Sequence, residues 1–181
     1  MREYDRAIGR LAGCCSALNA SYRGFRNQRG QQIIEVRYRN GVFTIVSQPT
    51  DSYFHAIAAR RLTNVDGFDI TRSRPIVQVE DDLTALFDEL ETANIRIDHL
   101  TEMHDAEGIE YFDGYRTAKP LYVFEDGFGP RRFDESLAEL NQIGRKAFER
   151  TLDRLELDLD EIEETTGSED EPEETYGRAF Q

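Results

Sequence analysis

The amino-acid sequence predicts an α+β fold: a single domain over residues 1–163 with a mainly antiparallel sheet of five or more strands, packed with N-terminal, central and long C-terminal helices. Three observations carry that prediction. Apolar residues recur at helical spacing in three separate stretches, two alternating β-branched runs meet at an Asn-Gly pair, and 181 residues suffice for one core with a short appendage but not for two full domains.

Taken in order, Tyr4, Ala7, Ile8, Leu11, Ala12, Cys15 and Leu18 give an amphipathic helix over residues 3–19, with Gly9 and Gly13 near one face where another element can pack closely. "QQIIEVRYRNGVFTIVSQP" is a hairpin through Asn40-Gly41, with Ile34, Val36 and Tyr38 on one face and Glu35, Arg37 and Arg39 on the other. The stretch 52–62 suits a helix or a third strand equally, through Phe54, Ile57, Ala58 and Leu62. After a turn-rich stretch, residues 76–103 read as strand, helix, strand, with Leu83, Leu86, Phe87 and Leu90 as the helical stripe and Ile95 and Ile97 restarting the alternation. A hairpin through "HDAEG" leads into "IEYFDGY", and "KPLYVFE" supplies another strand. From Asp134, a long helix follows Leu137, Leu140, Phe148, Leu152, Leu155, Leu159 and Ile162, with a potential break at Gly144. Unbroken for about 30 residues it would span about 45 Å, more than the roughly 38 Å across a 150-residue globule, so its far end is expected to project. Residues 164–181 have the charge, Gly and Pro of a disordered acidic tail.

Charge is the most informative feature of the composition. There are 36 acidic and 22 basic residues, a net charge of −14, and all the bases except Lys119 and Lys146 are Arg. This acid-rich, lysine-poor composition resembles that of cytosolic proteins of salt-in halophiles, above all haloarchaea. That resemblance implies a cytosol at molar potassium chloride, where the Debye length is about 3 Å and surface charge acts mainly through hydration. Glu3 and Asp5 stand where a signal peptide needs positive charge, and no uncharged run approaches the roughly 20 apolar residues of a membrane span, so a cytoplasmic, membrane-free protein is expected. The charge is also uneven: residues 1–79 carry a net +6 and the remaining 102 residues −20.

Most motifs with catalytic or metal-binding chemistry fail on geometry. "DHLTEMHD" (98–105) holds two histidines, but a continuous strand points His99 and His104 to opposite faces and a helix separates them by about 140°. Cys14 and Cys15 are sequence neighbours, whose side chains diverge, and are expected to be small buried hydrophobes. No nucleophile elbow, Walker loop, zincin helix or dinucleotide fingerprint is present, so no catalytic residue, cofactor or metal is assigned. "EDGFGPRRFDESL" places Gly127, Gly129, Arg131 and Arg132 before a helix, yet Asp134 and Glu135 are expected to fill its N-terminal turn as cap and first-turn acid.

The strongest functional signal is an arginine set interleaved with Tyr22, Phe25 and Tyr38. Arg23, Arg26, Arg37, Arg39, Arg60 and Arg61 are its nominated members, with Arg29, Arg72 and Arg74 nearby. Guanidinium groups pair bidentately with phosphate or carboxylate, and Arg37 and Arg39 are expected side by side on the face away from Val36. The acid run from Glu156 to Glu164, at a helix C-terminus where the macrodipole disfavours negative charge, offers such a set a partner within the chain or on another copy.

"VEDDLTALFDELETANIRIDHLTEM" resembles the first strand, helix and second strand of small ACT-type regulatory domains, with Ala93, Ile95 and Ile97 matching the second strand's entry. The resemblance covers residues 76 to about 115 and implies an α+β fold. Thr84 stands where such domains usually place a glycine for an amino-acid ligand, so ligand binding is not implied. The expected function is therefore a non-catalytic interaction or regulatory protein that binds a protein partner or itself as a homodimer, through the C-terminal helix and the arginine-bearing sheet face. A nucleic-acid-binding regulator is the alternative, and an enzyme with a carboxylate and histidine pocket comes third.

Overall fold

A computed structural model of the chain describes residues 2–47, 53–62 and 73–155. In chain order these form α1 (Arg2–Ala17), β1 (Ser21–Arg26), β2 (Gln32–Tyr38), β3 (Gly41–Val46), β4 (Phe54–Arg61), α2 (Ile76–Leu90), β5 (Arg96–Leu100), β6 (Met103–His104), β7 (Glu110–Tyr111), β8 (Gly114–Leu121) and α3 (Pro130–Arg154). Six strands make one antiparallel sheet in the order β1-β2-β3-β4-β8-β5, and β6 and β7 form a small separate ribbon. The α+β class, the mainly antiparallel sheet and the three helices are as the sequence predicts.

The register sorts every sheet residue onto one of two faces. Ile34, Val36, Phe43, Ile45, Phe54, Ala56 and Ala58 join Ala7, Leu11, Cys14 and Cys15 of α1 and Phe133, Leu137 and Leu140 of α3 in one buried cluster. Ile97 and Tyr115, on the same side, join α2 and the second half of α3 in a neighbouring one. All three helices therefore pack on one face. Each fully buried Leu, Ile or Phe there contributes about 1.5–3 kcal/mol.

Several local expectations are corrected. The hairpin turns on Arg39 and Asn40, both left-handed at φ 52° and 62°, and Tyr38 pairs with Gly41, so the glycine opens β3 instead of completing the turn. A Cβ on Gly41 would meet the Phe43 ring at 2.8 Å, which accounts for the glycine by packing. Residues 76–79 are the first turn of α2, not a strand. Ile76, Val79, Leu83, Leu86, Phe87 and Leu90 are buried at three- and four-residue steps, a periodicity that overrides the β preference of the valine and isoleucine. The strand opening the ACT-type resemblance is thus absent.

The ambiguous stretch resolves into β4. The last sheet strand is "GYRTAKPL", ending at Leu121. β1 was not expected at all, because Arg23, Gly24 and Arg26 interrupt its alternation. α3 begins at Pro130, four residues before the expected start, so Asp134 lies in its second turn and is not a cap. It runs straight through Gly144, which is buried with the Arg60 guanidinium against it. Its 25 residues rise roughly 38 Å with a buried stripe from Phe133 to Leu152, so the described part lies along the sheet without projecting. The acid run 156–164 and the tail 164–181 lie outside the described residues.

Candidate interaction face

The sheet face away from the helices can be laid out row by row from the strand registers. One row reads Arg23 (β1), Glu35 (β2), Thr44 (β3), Ile57 (β4), Ala118 (β8) and Arg96 (β5). The next begins Ser21, Arg37, Val42 and ends Ala59, Arg116, Asp98; the β3–β4 register carried on by two residues brings Val42 level with Ala59. On the other side of the first row lie Phe25, Ile33, Val46, His55 and Pro120. The centre, over β3 and β4, is thus a strip of Val42, Val46, Thr44, Ile57 and Ala59. Arg37 flanks it on β2, Arg116 on β8, and Arg61 closes it at the end of β4.

With strands about 4.8 Å apart, Arg37 and Arg116 stand roughly 14 Å from each other across this strip. Ile33, Val42, Ala59 and Leu100 on this face are buried, though none belongs to either helix-side cluster. Arg37 and Arg116 are cross-strand neighbours of Val42 and Ala59, and an arginine stem is long enough to lie over such residues while its head stays at the surface.

The six nominated arginines separate into three groups. Arg23, Arg37 and Arg61 are on this face. The Arg23 guanidinium donates to the carboxylate of Glu35, Nε to Oε2 at 2.9 Å, and stacks over Phe25 with 5.1 Å to the ring centroid. Glu35 is 1% exposed, so Arg23 neutralises a buried carboxylate that would otherwise be costly. Arg61 binds Glu102 and lies 3.6 Å from Asp113, tying the end of β4 to the segments flanking β5 and β8. Arg26 is exposed at the edge, donating to the Gly30 carbonyl at 3.4 Å.

Arg39 and Arg60 belong elsewhere. Arg39 leaves the sheet at the turn and binds Asp134 of α3 at 2.8 Å, beside the Tyr38 hydroxyl, which donates to the same carboxylate at 2.7 Å. It does not lie beside Arg37, because the left-handed turn redirects it. Arg60 is 2% exposed on the helix side and donates to the Asn141 side-chain and backbone oxygens at 2.8 and 3.1 Å. Arg116 and Arg96 were missed by sequence reasoning. The signal is present, since in "GYRTAKPL" a two-residue period starting at Gly114 puts Arg116, Ala118 and Pro120 on one side, but a strand read as beginning at Lys119 leaves Arg116 out.

The remaining motifs are placed apart. His99 lies under α2, Nε2 3.7 Å from the Glu80 carboxylate, while His104 is exposed in the separate ribbon; among the described residues no cluster of His, Cys, Asp and Glu is arranged to hold a metal ion. A groove of about 440 Å³ between α2 and β5 is bordered by Asp88, Glu91, Asp98 and His99. In it Glu91 already accepts the Ile97 backbone N–H at 3.0 Å, closing the turn into β5. Cys14 and Cys15 are buried under the sheet, and desolvation pushes the Cys15 thiol up to about 12 and that of Cys14 up as well, which keeps both neutral and unreactive near pH 7. Among the described residues no helix is long and apolar enough to cross a membrane. No family of known proteins matches the chain, and no curated protein or solved structure is significantly similar to it.

Proposed function

We propose that this protein is a non-catalytic interaction or regulatory module of a halophile's cytosol that binds an acidic surface of a protein partner, or of a second copy of itself, on the sheet face away from its helices. One observation carries this reading: that face combines an apolar strip over β3 and β4 with guanidinium groups at its flanks and end, Arg37, Arg116 and Arg61. A face meant only for water has no need of the apolar strip, and a purely electrostatic site would be weak in molar salt. Apolar contact survives that salt and is strengthened by it when the anion is strongly hydrated. The arginines then select carboxylates by geometry instead of by long-range attraction. The expected part of the C-terminal helix shrinks to the polar outer side of α3, since its apolar stripe is committed to the sheet.

A nucleic-acid reading has one feature in its favour, the Arg23 guanidinium over Phe25 at an edge strand beside exposed Arg26. Fluorescence anisotropy separates the two. Labelled poly-L-glutamate and labelled single-stranded DNA and RNA are titrated with the full chain and with Arg37→Glu/Arg116→Glu, from low to molar potassium chloride, with circular dichroism checking the fold. The acidic polypeptide should bind, keep binding in molar salt, and lose at least tenfold in affinity in the variant. Tighter binding of nucleic acid, with a steep salt dependence, would replace this reading by the second. Binding of none of the probes, with a monomer at every salt concentration, would overturn both.

A further inference from the structure

We infer that the natural occupant of the arginine-flanked face is the chain's own acidic C-terminal segment, residues 156–181, which docks there in cis and competes with any external acidic partner. This rests on the reading above of that face as a docking surface. Three independent features point to this segment.

The first is where it starts. Leu155 is buried in the cluster that also contains Leu62, and Leu62 directly follows Arg61 at the end of the strip. The segment therefore leaves the described structure from the helix-side cluster that also takes in the residue following the strip's closing arginine. The second is reach. Twenty-six residues extend up to roughly 85 Å, whereas the six strands together are only roughly 25 Å wide, so the segment can pass around the sheet and lie along the strip without strain.

The third is pattern. "ELDLDEIEE" (156–164) sets Leu157, Leu159 and Ile162 among six acids, and the whole segment has eleven carboxylates against Arg178 alone. Apolar side chains for the floor and carboxylates for the flanking guanidiniums are the chemistry this face would recognise. The face does not need unpaired arginines for this: Arg23 and Arg61 already hold Glu35, Glu102 and Asp113, and a docked carboxylate joins such networks as an additional acceptor. Occupation in cis needs no high affinity, because a tether raises the local concentration to the millimolar range.

The decisive experiment keeps the full chain. A nitroxide is attached at Ser168→Cys at neutral pH, where the two buried native thiols stay protonated and shielded, and methyl NMR signals are compared with and without reduction of the label. Methyl groups of the open face, Val42, Val46, Ile57 and Ala118, should lose more than half of their intensity, whereas those of Ala56, Ala58 and Leu86 on the helix side should keep theirs. Arg37→Glu/Arg116→Glu should restore the lost intensity; because charge reversal can disturb the sheet, a second variant with the eleven carboxylates of 156–181 changed to amides should restore it without touching the folded part. That second variant should also bind added poly-L-glutamate at least fivefold more tightly than the natural chain. Unchanged open-face signals in the labelled natural chain would overturn the cis contact, and if poly-L-glutamate then still binds, the docking reading stands without it. Failure of poly-L-glutamate to bind either chain would remove the docking reading itself.

Discussion

The two faces of the central sheet are built from the same strands, often from adjacent residues, and yet follow different rules. On the helix side, Phe43, Ile45, Phe54 and Tyr115 are at most 1% exposed and meet other apolar side chains. The one charged strand residue buried there, Arg60, is matched by Asn141 and by the absence of a side chain at Gly144. On the other side, small and β-branched residues occupy the middle and long arginines stand around them. The difference teaches that alternation alone does not distinguish a solvent face from a contact face; the content of the second face does, because half-buried Val46 and Ile57 beside the buried Val42–Ala59 row, with Arg37 and Arg116 at its ends, are not ordinary polar surface.

The largest expected effect tests the helix side. Phe133→Ala should cost about 3–5 kcal/mol, read by chemical denaturation, while Ile57→Ala on the open face should cost only about 1–2 kcal/mol, since Ile57 is half-buried. Equal costs would mean that both faces are equally covered and would break the comparison.

Next comes the buried ion pair. Arg23→Ala takes a guanidinium away from the buried Glu35 carboxylate and should cost about 1–3 kcal/mol; in a Glu35→Gln background the same change should cost distinctly less. A cycle with no coupling would show that Glu35 draws nothing from Arg23.

A pH series sharpens the contrast from the helix side. The unfolded chain ionises a thiol near 9.0, whereas burial holds Cys15 neutral up to about 12. Above pH 9 the unfolded state therefore binds fewer protons than the folded one, so the stability associated with Cys15 is complete below pH 9 and is lost progressively between pH 9 and about 12. Cys15→Ala should flatten that alkaline decline in denaturation midpoints; a decline unchanged by the substitution would point to other groups. The smallest effect belongs to the exposed turn: Arg39→Ala, which leaves Asp134 its hydrogen bond from the Tyr38 hydroxyl, should shift the thermal midpoint less than Arg23→Ala does.

Periodicity made the fold class legible, because helix and strand patterns are properties of a single segment. Leu83, Leu86, Phe87 and Leu90 announce a helix whatever lies around them. The misreadings occurred where a neighbour decides. "IVQV" has β-forming residues but is wound into α2 by the burial of Ile76 and Val79, and β1 exists because β2 offers it a ladder. The arginine set was legible as a set and not as a site. Arg60 and Arg61 are adjacent in sequence and lie on opposite sides of the sheet, one under α3 and one bound to Glu102, and that assignment follows from the pairing of β4 with β8, which no local pattern reveals. Arg39 was lost to its left-handed turn, and Arg116 was hidden by a strand boundary.

The measurement that tests the proposed role of the second face most directly is methyl NMR of the isotopically labelled full chain, in its natural form and with the C-terminal carboxylates changed to amides, titrated with poly-L-glutamate in molar potassium chloride. The account predicts shifts confined to Val42, Val46, Ile57 and Ala118, larger at a given concentration in the amide form. Shifts centred on the groove beside His99, on helix-side methyl groups such as Ile97 and Leu86, or nowhere, would contradict it.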